Sequence, residues 1–356
     1  MIRPPVIKLT KRIDLLYQWS RYWLNFLRGA YHRGITIDGS ASGLGPNICI
    51  ISIFARQRKI PRSTLSLIRA VRSAGYGLVV VVNGSEIAKE NFEGELRSAD
   101  ILITRPNLGR DFAAYQLAAK LVSESGLTVQ RLLFCNDSIF FLDKNDTQNL
   151  FGRLIKAKDD WIGMTENYGG KYHVSSWCFQ LSGNVLISPA YKEFWNAYRP
   201  LDSRRHAIRQ GEIRFSQVML AAGYVPTVLY SAALLLDTLL NGAHGKKEHL
   251  LQHFCMVTKR QDAPAPNLGS TLDGLFRGEQ LNQTSNLGLL LVSEIDFPFL
   301  KKDIAFKANW PISVVVLLLQ QHMSEFCAET ANEIKLRGLR RGLSRWQKLL
   351  VDAGMS

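Results

Sequence analysis

Four strand-length runs punctuated by helical stretches constrain this chain more than any other feature. Ile48-Cys49-Ile50-Ile51-Ser52-Ile53-Phe54 reads as a strand, followed by Gly77 to Val82, Asp100 to Thr104 and Arg131 to Cys135. The stretches from Arg62 to Ala74, Glu86 to Arg97 and Phe112 to about Ser123 read as helices between them. Strands that are apolar nearly throughout and alternate with helices belong to a mostly parallel sheet covered on both faces. The expected fold class is therefore α/β, a mostly parallel mixed sheet flanked by helices. In open sheets of this kind, ligands bind beyond the carboxyl ends of the strands.

Those strand ends are where the sequence turns polar. Gly77 to Val82 ends in Asn83-Gly84-Ser85, and Leu132-Leu133-Phe134 runs through Cys135 into Asn136-Asp137-Ser138. Between them lies Arg105-Pro106-Asn107-Leu108-Gly109-Arg110-Asp111-Phe112, which packs a loop asparagine, a glycine, a cation and a carboxylate ahead of a helix. One reading is a turn and a helix with Asp111 as its N-cap. The other is a site for a nucleotide sugar, in which Asn83, Asn107, Gly109, Arg110, Asp111, Asn136, Asp137 and Ser138 share one edge of the sheet and bind the donor. Arg110 suits phosphate oxygens because a guanidinium offers forked donors. Asp137 could hold a divalent cation, Mg or Mn, that neutralises a diphosphate; one carboxylate leaves metal dependence open.

Charge and cysteine usage narrow the setting. With 44 Lys and Arg against 30 Asp and Glu, the formal charge is +14, which favours anionic partners without choosing among nucleotide diphosphates, lipid and nucleic acid. No recognised nucleic-acid motif is present, so nucleic acid is not the expected partner. Five widely spaced cysteines without a CxxC pair read as free thiols in a reducing compartment. The basic N-terminus lacks a long apolar run after it, and Ile312 to Leu319 is too short to span a bilayer. The expected location is the cytoplasm, at the inner face of the membrane.

Two basic, amphipathic stretches support that location. From Lys11 to Arg33, Leu15, Leu16, Trp19, Tyr22, Trp23, Phe26 and Leu27 recur at helical spacing among Arg and Lys. Lys335 to Leu350 repeats the theme. Either stretch can lie on an anionic membrane or dock on its own domain. Thr36 to Gly45 reads as a Gly/Ser-rich linker. The expected organisation is an N-terminal helix and linker at 1–45, a catalytic domain at 46–310 and a helical basic tail at 311–356.

In the second half, Trp161 to Met164 and Val174 to Leu181 read as strands, Ser188 to Tyr198 as a helix entered through Pro189, and Gly211 to Ala222 as a helix closed by Gly223. Glu212 would open that last helix, where the helix N-terminus stabilises a carboxylate. Its functional reading is a general base that takes a proton from an acceptor hydroxyl. His173, Ser176 and Trp177 combine hydrogen bonders with an aromatic face and suit acceptor binding; an ordinary strand is the alternative. His249 and His253, four apart, read as a surface pair.

Taken together, Val80-Val81-Val82-Asn83, Asn107-Leu108-Gly109-Arg110-Asp111-Phe112, Phe134-Cys135-Asn136-Asp137-Ser138, Trp161-Ile162-Gly163, Ser176-Trp177 and Gly211-Glu212 with Gly223-Tyr224 resemble the rhamnan synthesis protein F family. The segment from Asn282-Gln283-Thr284 to Phe297-Pro298-Phe299-Leu300-Lys301 resembles that family's closing segment, and the likeness covers roughly 48–310. It implies a glycosyltransferase of the GT-A kind, acting on a glycan or lipid-linked glycan in bacterial surface polysaccharide assembly. The implied donor is dTDP-L-rhamnose. Gln283 replaces a usual proline, Trp177 a usual tyrosine, and Asn-Asp-Ser stands where many GT-A enzymes have Asp-x-Asp.

Overall fold

A computed structural model describes residues 4–29, 31, 33–55, 60–84, 96, 98–142, 147–241, 283–306, 312–322, 331 and 334. Its centre is an eight-stranded mixed sheet. In chain order the strands are β1 (Thr36–Gly39), β2 (Asn47–Phe54), β3 (Gly77–Asn83), β4 (Ile101–Arg105), β5 (Arg131–Asn136), β7 (Trp161–Gly163), β10 (Cys178–Ser182) and β11 (Thr227–Val228). They lie in the order β1-β4-β3-β2-β5-β10-β7-β11. Strands β4, β3, β2 and β5 are mutually parallel, as expected from their apolar runs. Edge strand β1 and inner strand β10 run antiparallel to their neighbours.

The uninterrupted apolar character of β2 follows from burial on both faces. Successive side chains of a strand point to opposite sides. Cys49, Ile51 and Ile53 enter one core, with α2 (Arg62–Ser73), α4 (Thr147–Lys156) and residues 287–304. Ile48 and Ile50 enter the other, with α3 (Arg110–Glu124), α6 (Pro189–Ala197) and α8 (Arg214–Ala221). Each fully buried aliphatic side chain contributes about 1.5–3 kcal/mol. The three described cysteines, Cys49, Cys135 and Cys178, are buried free thiols in adjacent strands.

The chain runs from β2 through β3 to β4 on one side and then returns to place β5 on the other side of β2. The carboxyl ends of β2 and β5 therefore flank the point where strand order reverses, the position at which open α/β sheets bind ligands. A small second sheet covers this end. There β6 (Ile139–Phe141) pairs antiparallel with β12 (Phe299–Lys301), which brings Lys301 opposite Ile139.

Several local expectations are corrected. Thr36–Gly39 is an edge strand paired with β4, not a linker, so the sheet begins ahead of the expected boundary at residue 46. A Cβ at Gly39 would lie 2.0 Å from the Asp100 carbonyl oxygen, so the strand can approach only with glycine there. The expected strand from Val174 to Leu181 is broken. His173–Val174 (β9) pairs instead with Glu166–Asn167 (β8), and β10 starts at Cys178. The helix expected to open at Gly211 begins at Arg204, passes through a π-helical segment at Ala207–Ile213, and continues as α8. The helix expected over 86–97 apart from Leu96, the paired His249 and His253, and the basic tail at 335–350 lie outside the described residues.

The N-terminal helix α1 (Pro4–Leu27) is anchored on one side. Tyr22 is buried, the Trp19 ring meets His206 edge-on at 6.3 Å, and the Tyr31 hydroxyl donates to the Pro200 carbonyl at 3.1 Å. The rest of its described apolar surface is open: Leu16 is 69 %, Trp23 52 % and Leu27 79 % exposed. No described helix is long and apolar enough to cross a membrane.

Candidate active site at the carboxyl edge of the sheet

The site grows out of three strand ends tied by polar side chains. Ser52, the one polar residue inside the apolar run of β2, is fully buried. Its hydroxyl accepts from Asn83 Nδ2 at 3.0 Å and lies 3.5 Å from Asp111 Oδ1. Asn83 also donates to the Ile53 carbonyl at 3.1 Å and accepts from Arg105 Nη1 at 2.8 Å. Arg105 in turn donates to the Leu108 carbonyl, which ties the Asn107 loop to the end of β4. Asn83 is thus buried with both ends of its amide engaged. It ties the ends of β2, β3 and β4 together.

The Asn136-Asp137-Ser138 turn is organised in the same way. Asn136 is buried; its Oδ1 accepts from the Ser138 N–H at 3.1 Å and from the Ser138 hydroxyl at 2.6 Å, and its Nδ2 donates to Asp111 Oδ2 at 3.3 Å. It links the turn to Asp111. Asp137 and Ser138 remain half-buried beside it. The Asp137 N–H donates to the Ser52 carbonyl at 3.1 Å, and its Oδ2 accepts from the Phe54 N–H at 3.2 Å.

Asp111 lies in the first turn of α3, and its carboxylate reaches across to Ser52 and Asn136, so it does not act as the N-cap of that helix. The loop before it is locked in an unusual backbone. Gly109 has φ +76° and a Cβ there would fall 2.5 Å from Pro200, while Arg110 follows at φ +58°. A non-glycine residue in the left-handed region costs energy and persists where surrounding structure imposes it. Asn107 and Arg110 are exposed at the rim, with Arg110 Nε 4.0 Å from Asp202. Burial, and next the charge of Asp137, push the Asp111 carboxyl from its ordinary 3.8 up to about 6, against the opposing pull of Lys301 and Arg110.

Glu212 comes from the far half of the chain. It belongs to the π-helical segment, a distortion that recurs at functional sites. A Cβ at Gly211 would lie 2.6 Å from the Phe112 ring, so glycine lets this helix seat directly on the residue after Asp111. Glu212 Oε1 accepts from the Ser176 N–H at 2.8 Å and from the Ser176 hydroxyl at 3.1 Å. Ser176 is held in turn by the Tyr115 hydroxyl, which donates to its carbonyl at 3.1 Å.

The other two expected acceptor residues point elsewhere. Trp177 is 2 % exposed, donates its indole N–H to Thr165 Oγ1 at 3.2 Å and packs on Phe297 and Phe299. It is a core residue beneath the site and offers no face to a sugar. His173 is buried, with Nδ1 2.7 Å from the Lys171 carbonyl oxygen, and it is not presented to a ligand either. Ser176 alone of the three faces the cluster, half-buried beside Glu212.

Lys301 was not foreseen as a site residue, although it ends the closing segment singled out by resemblance. Its ammonium donates to Ser138 Oγ at 3.0 Å, and the Lys302 N–H donates to the Ser138 carbonyl at 2.9 Å. Burial lowers its pKa, opposed by the carboxylates of Glu212, Asp303 and Asp111 and reinforced by Arg204. The outcome is one half-buried cluster of Asp111, Asp137, Ser138, Ser176, Glu212 and Lys301.

The donor set for a metal ion is thin. Asp137 Oδ2 is engaged by the Phe54 N–H, and among the described residues no group of three His, Cys, Asp or Glu side chains stands together. The described residues do not fit a divalent cation held by the protein alone.

The profile of a family described as "Rhamnan synthesis protein F" matches residues 78–263. The uncharacterized protein y4gN of Sinorhizobium fredii is 22 % identical over 229 residues, covering 62 % of this chain and 59 % of that protein. The chain thus spans a little over half the length of that relative. Virulence protein VirA of Vibrio anguillarum is 24 % identical over 242 residues, 66 % of this chain and 71 % of that protein. Among solved structures, a glycosyltransferase involved in glycosylating the major capsid of PBCV-1 aligns at TM-score 0.32 and 15 % identity, covering 52 % of this chain and 84 % of that one. The glycosyltransferase GlyE of Streptococcus pneumoniae aligns at TM-score 0.32 and 10 % identity, covering 70 % and 64 %.

Proposed function

This chain belongs to the rhamnan synthesis protein F family, and on that premise we propose that it is an inverting glycosyltransferase of bacterial surface-polysaccharide assembly. The donor is a nucleotide diphosphate sugar, dTDP-L-rhamnose in this reading, and the acceptor is a hydroxyl of a glycan or lipid-linked glycan. A relative named as a virulence protein accords with a surface glycan as product.

The observation that carries the reading is Glu212, a half-buried carboxylate fixed by Ser176 in the same cluster as Asp111 and the strand-end residues Asp137 and Ser138. In this mechanism the acceptor oxygen attacks the anomeric carbon and passes its proton to Glu212. The bond from the anomeric carbon to the diphosphate breaks, and the nucleoside diphosphate leaves with the electron pair. Glu212 Oε1 stays with Ser176, which leaves Oε2 for the acceptor proton. Fixed dipoles and charges around the leaving group supply most of the remaining rate, because they need no reorganisation during reaction.

We further propose that the open face of α1 rests on an anionic membrane surface, where a lipid-linked acceptor resides. Leu16, Trp23, Leu24 and Leu27 are exposed on the helix beside Arg21 and Arg28. Aromatic and aliphatic residues flanked by arginines are the composition of a helix lying in the headgroup layer.

The test is a panel of nucleotide sugars read by thermal stabilisation of the purified chain and by transfer to isolated surface glycan. Stabilisation and transfer with dTDP-L-rhamnose is the expected result. Stabilisation by no nucleotide sugar sinks the reading, and binding without transfer to any acceptor turns the chain into a non-catalytic subunit of such an assembly.

A further inference from the structure

We infer that Lys301 supplies the positive charge that receives the donor's diphosphate, in the place a protein-held metal ion would otherwise take. This rests on the transferase reading above. A leaving nucleoside diphosphate gains negative charge as the bond to the anomeric carbon breaks, so a cation is needed within reach of its terminal phosphate. The strand ends offer the opposite, since Asp111 and Asp137 are both carboxylates.

Among the described residues, the candidate cations separate by geometry. Arg105 is buried and committed to Asn83 and to the Leu108 carbonyl. Arg110 is exposed at the rim, facing Asp202. Lys301 is half-buried, its ammonium donates to Ser138 Oγ at 3.0 Å, and the carboxylates of Glu212, Asp303 and Asp111 act on its charge. An ammonium has three protons to donate, and Ser138 Oγ takes one of them.

The backbone holds Lys301 at that point. Its strand pairs with β6 in the register Lys301 to Ile139, and the neighbouring Lys302 N–H clamps the Ser138 carbonyl. A charge fixed in advance against the strand-end turn stabilises a developing anion without moving at the moment of transfer. Lys301 also stands electrostatically beside Glu212. Its charge compensates the diphosphate during transfer.

The experiment measures binding of dTDP and UDP to the full chain by calorimetry, with and without EDTA, for the wild type and for Lys301→Gln, Ser138→Ala and Glu212→Gln. Wild-type binding that survives EDTA, weakened about 10- to 100-fold by Lys301→Gln, is the expected result for loss of a charge-assisted contact. Ser138→Ala, which leaves the lysine in place but unheld, gives a smaller loss in the same direction and covers the case in which Lys301→Gln does not fold. Glu212→Gln removes a negative charge that acts on the lysine, so it binds the nucleotides at least as tightly as the wild type does, and weaker binding there counts against the assignment. Undiminished binding in both the Lys301 and Ser138 variants overturns the assignment, as does wild-type binding that disappears with EDTA and returns with Mn. If the wild type binds neither nucleotide, the transferase reading itself falls.

Discussion

Glu212 Oε1 accepts both the backbone N–H and the hydroxyl of Ser176, at 2.8 and 3.1 Å, across 36 residues of sequence. This contact ties the π-helical segment of one half of the chain to the bend between β9 and β10. It leaves the carboxylate oriented by two donors from one residue, the arrangement a positioned base requires.

Replacing Glu212 tests its proposed role as the base apart from binding. Glu212→Gln keeps a carbonyl oxygen for both Ser176 donors and removes the basicity. Transfer falls by about two to four orders of magnitude, the usual contribution of a positioned base, while nucleotide binding is unchanged. Steady-state transfer rates and calorimetry on the same preparation read the two separately. Full activity in this variant would remove Glu212 from the chemistry.

Asp111 makes the stability of the protein depend on pH. Its carboxyl is raised from 3.8 to about 6, so the folded chain keeps a proton in this window that the unfolded chain has released. Stability therefore falls as pH rises from about 4 to about 6, and the deficit persists above that. In Asp111→Asn the melting temperature, relative to wild type, should climb across that window and level off beyond it. A difference that is flat with pH would mean that Asp111 titrates normally in the folded state.

Trp177 separates a core role from a sugar-stacking role. It is 2 % exposed and packed on Phe297 and Phe299. Trp177→Ala is expected to cost about 3–5 kcal/mol of stability in denaturant unfolding. Trp177→Phe keeps most of the buried ring, loses the bond to Thr165, and should retain acceptor KM. A raised KM with unchanged melting in Trp177→Phe would restore Trp177 to the acceptor site.

The open face of α1 is expected to carry membrane affinity independently of catalysis. Trp23→Ser together with Leu27→Ser removes apolar surface that is 52 % and 79 % exposed, away from the buried Tyr22 that anchors the helix. Flotation with anionic vesicles should drop, and transfer to a soluble acceptor should stay unchanged. Equal flotation of variant and wild type, or none by either, would leave this face without a lipid role.

Much of this protein was decided locally. Strands buried on both faces must be apolar at nearly every position, so Ile48 to Phe54, Gly77 to Val82 and Leu132 to Cys135 announced the sheet. A strand that leaves the core must end in residues that tolerate water, so Asp137 and Ser138, directly after β5, were legible at its carboxyl edge. Tertiary structure alone decided which polar groups are spent on the scaffold. Asn83, Asn136, His173 and Trp177 have the chemistry of ligands, yet burial and hydrogen bonds commit them to the scaffold. The edge strand Thr36–Gly39 depends on a close approach of Gly39 to Asp100, which local composition does not encode. Lys301 reaches Ser138 across 163 residues, and Glu212 reaches Ser176 only because Gly211 admits the Phe112 ring. Periodicity reports which way a side chain faces within its own element; which distant element it meets there is set by packing, after the chain has closed those loops.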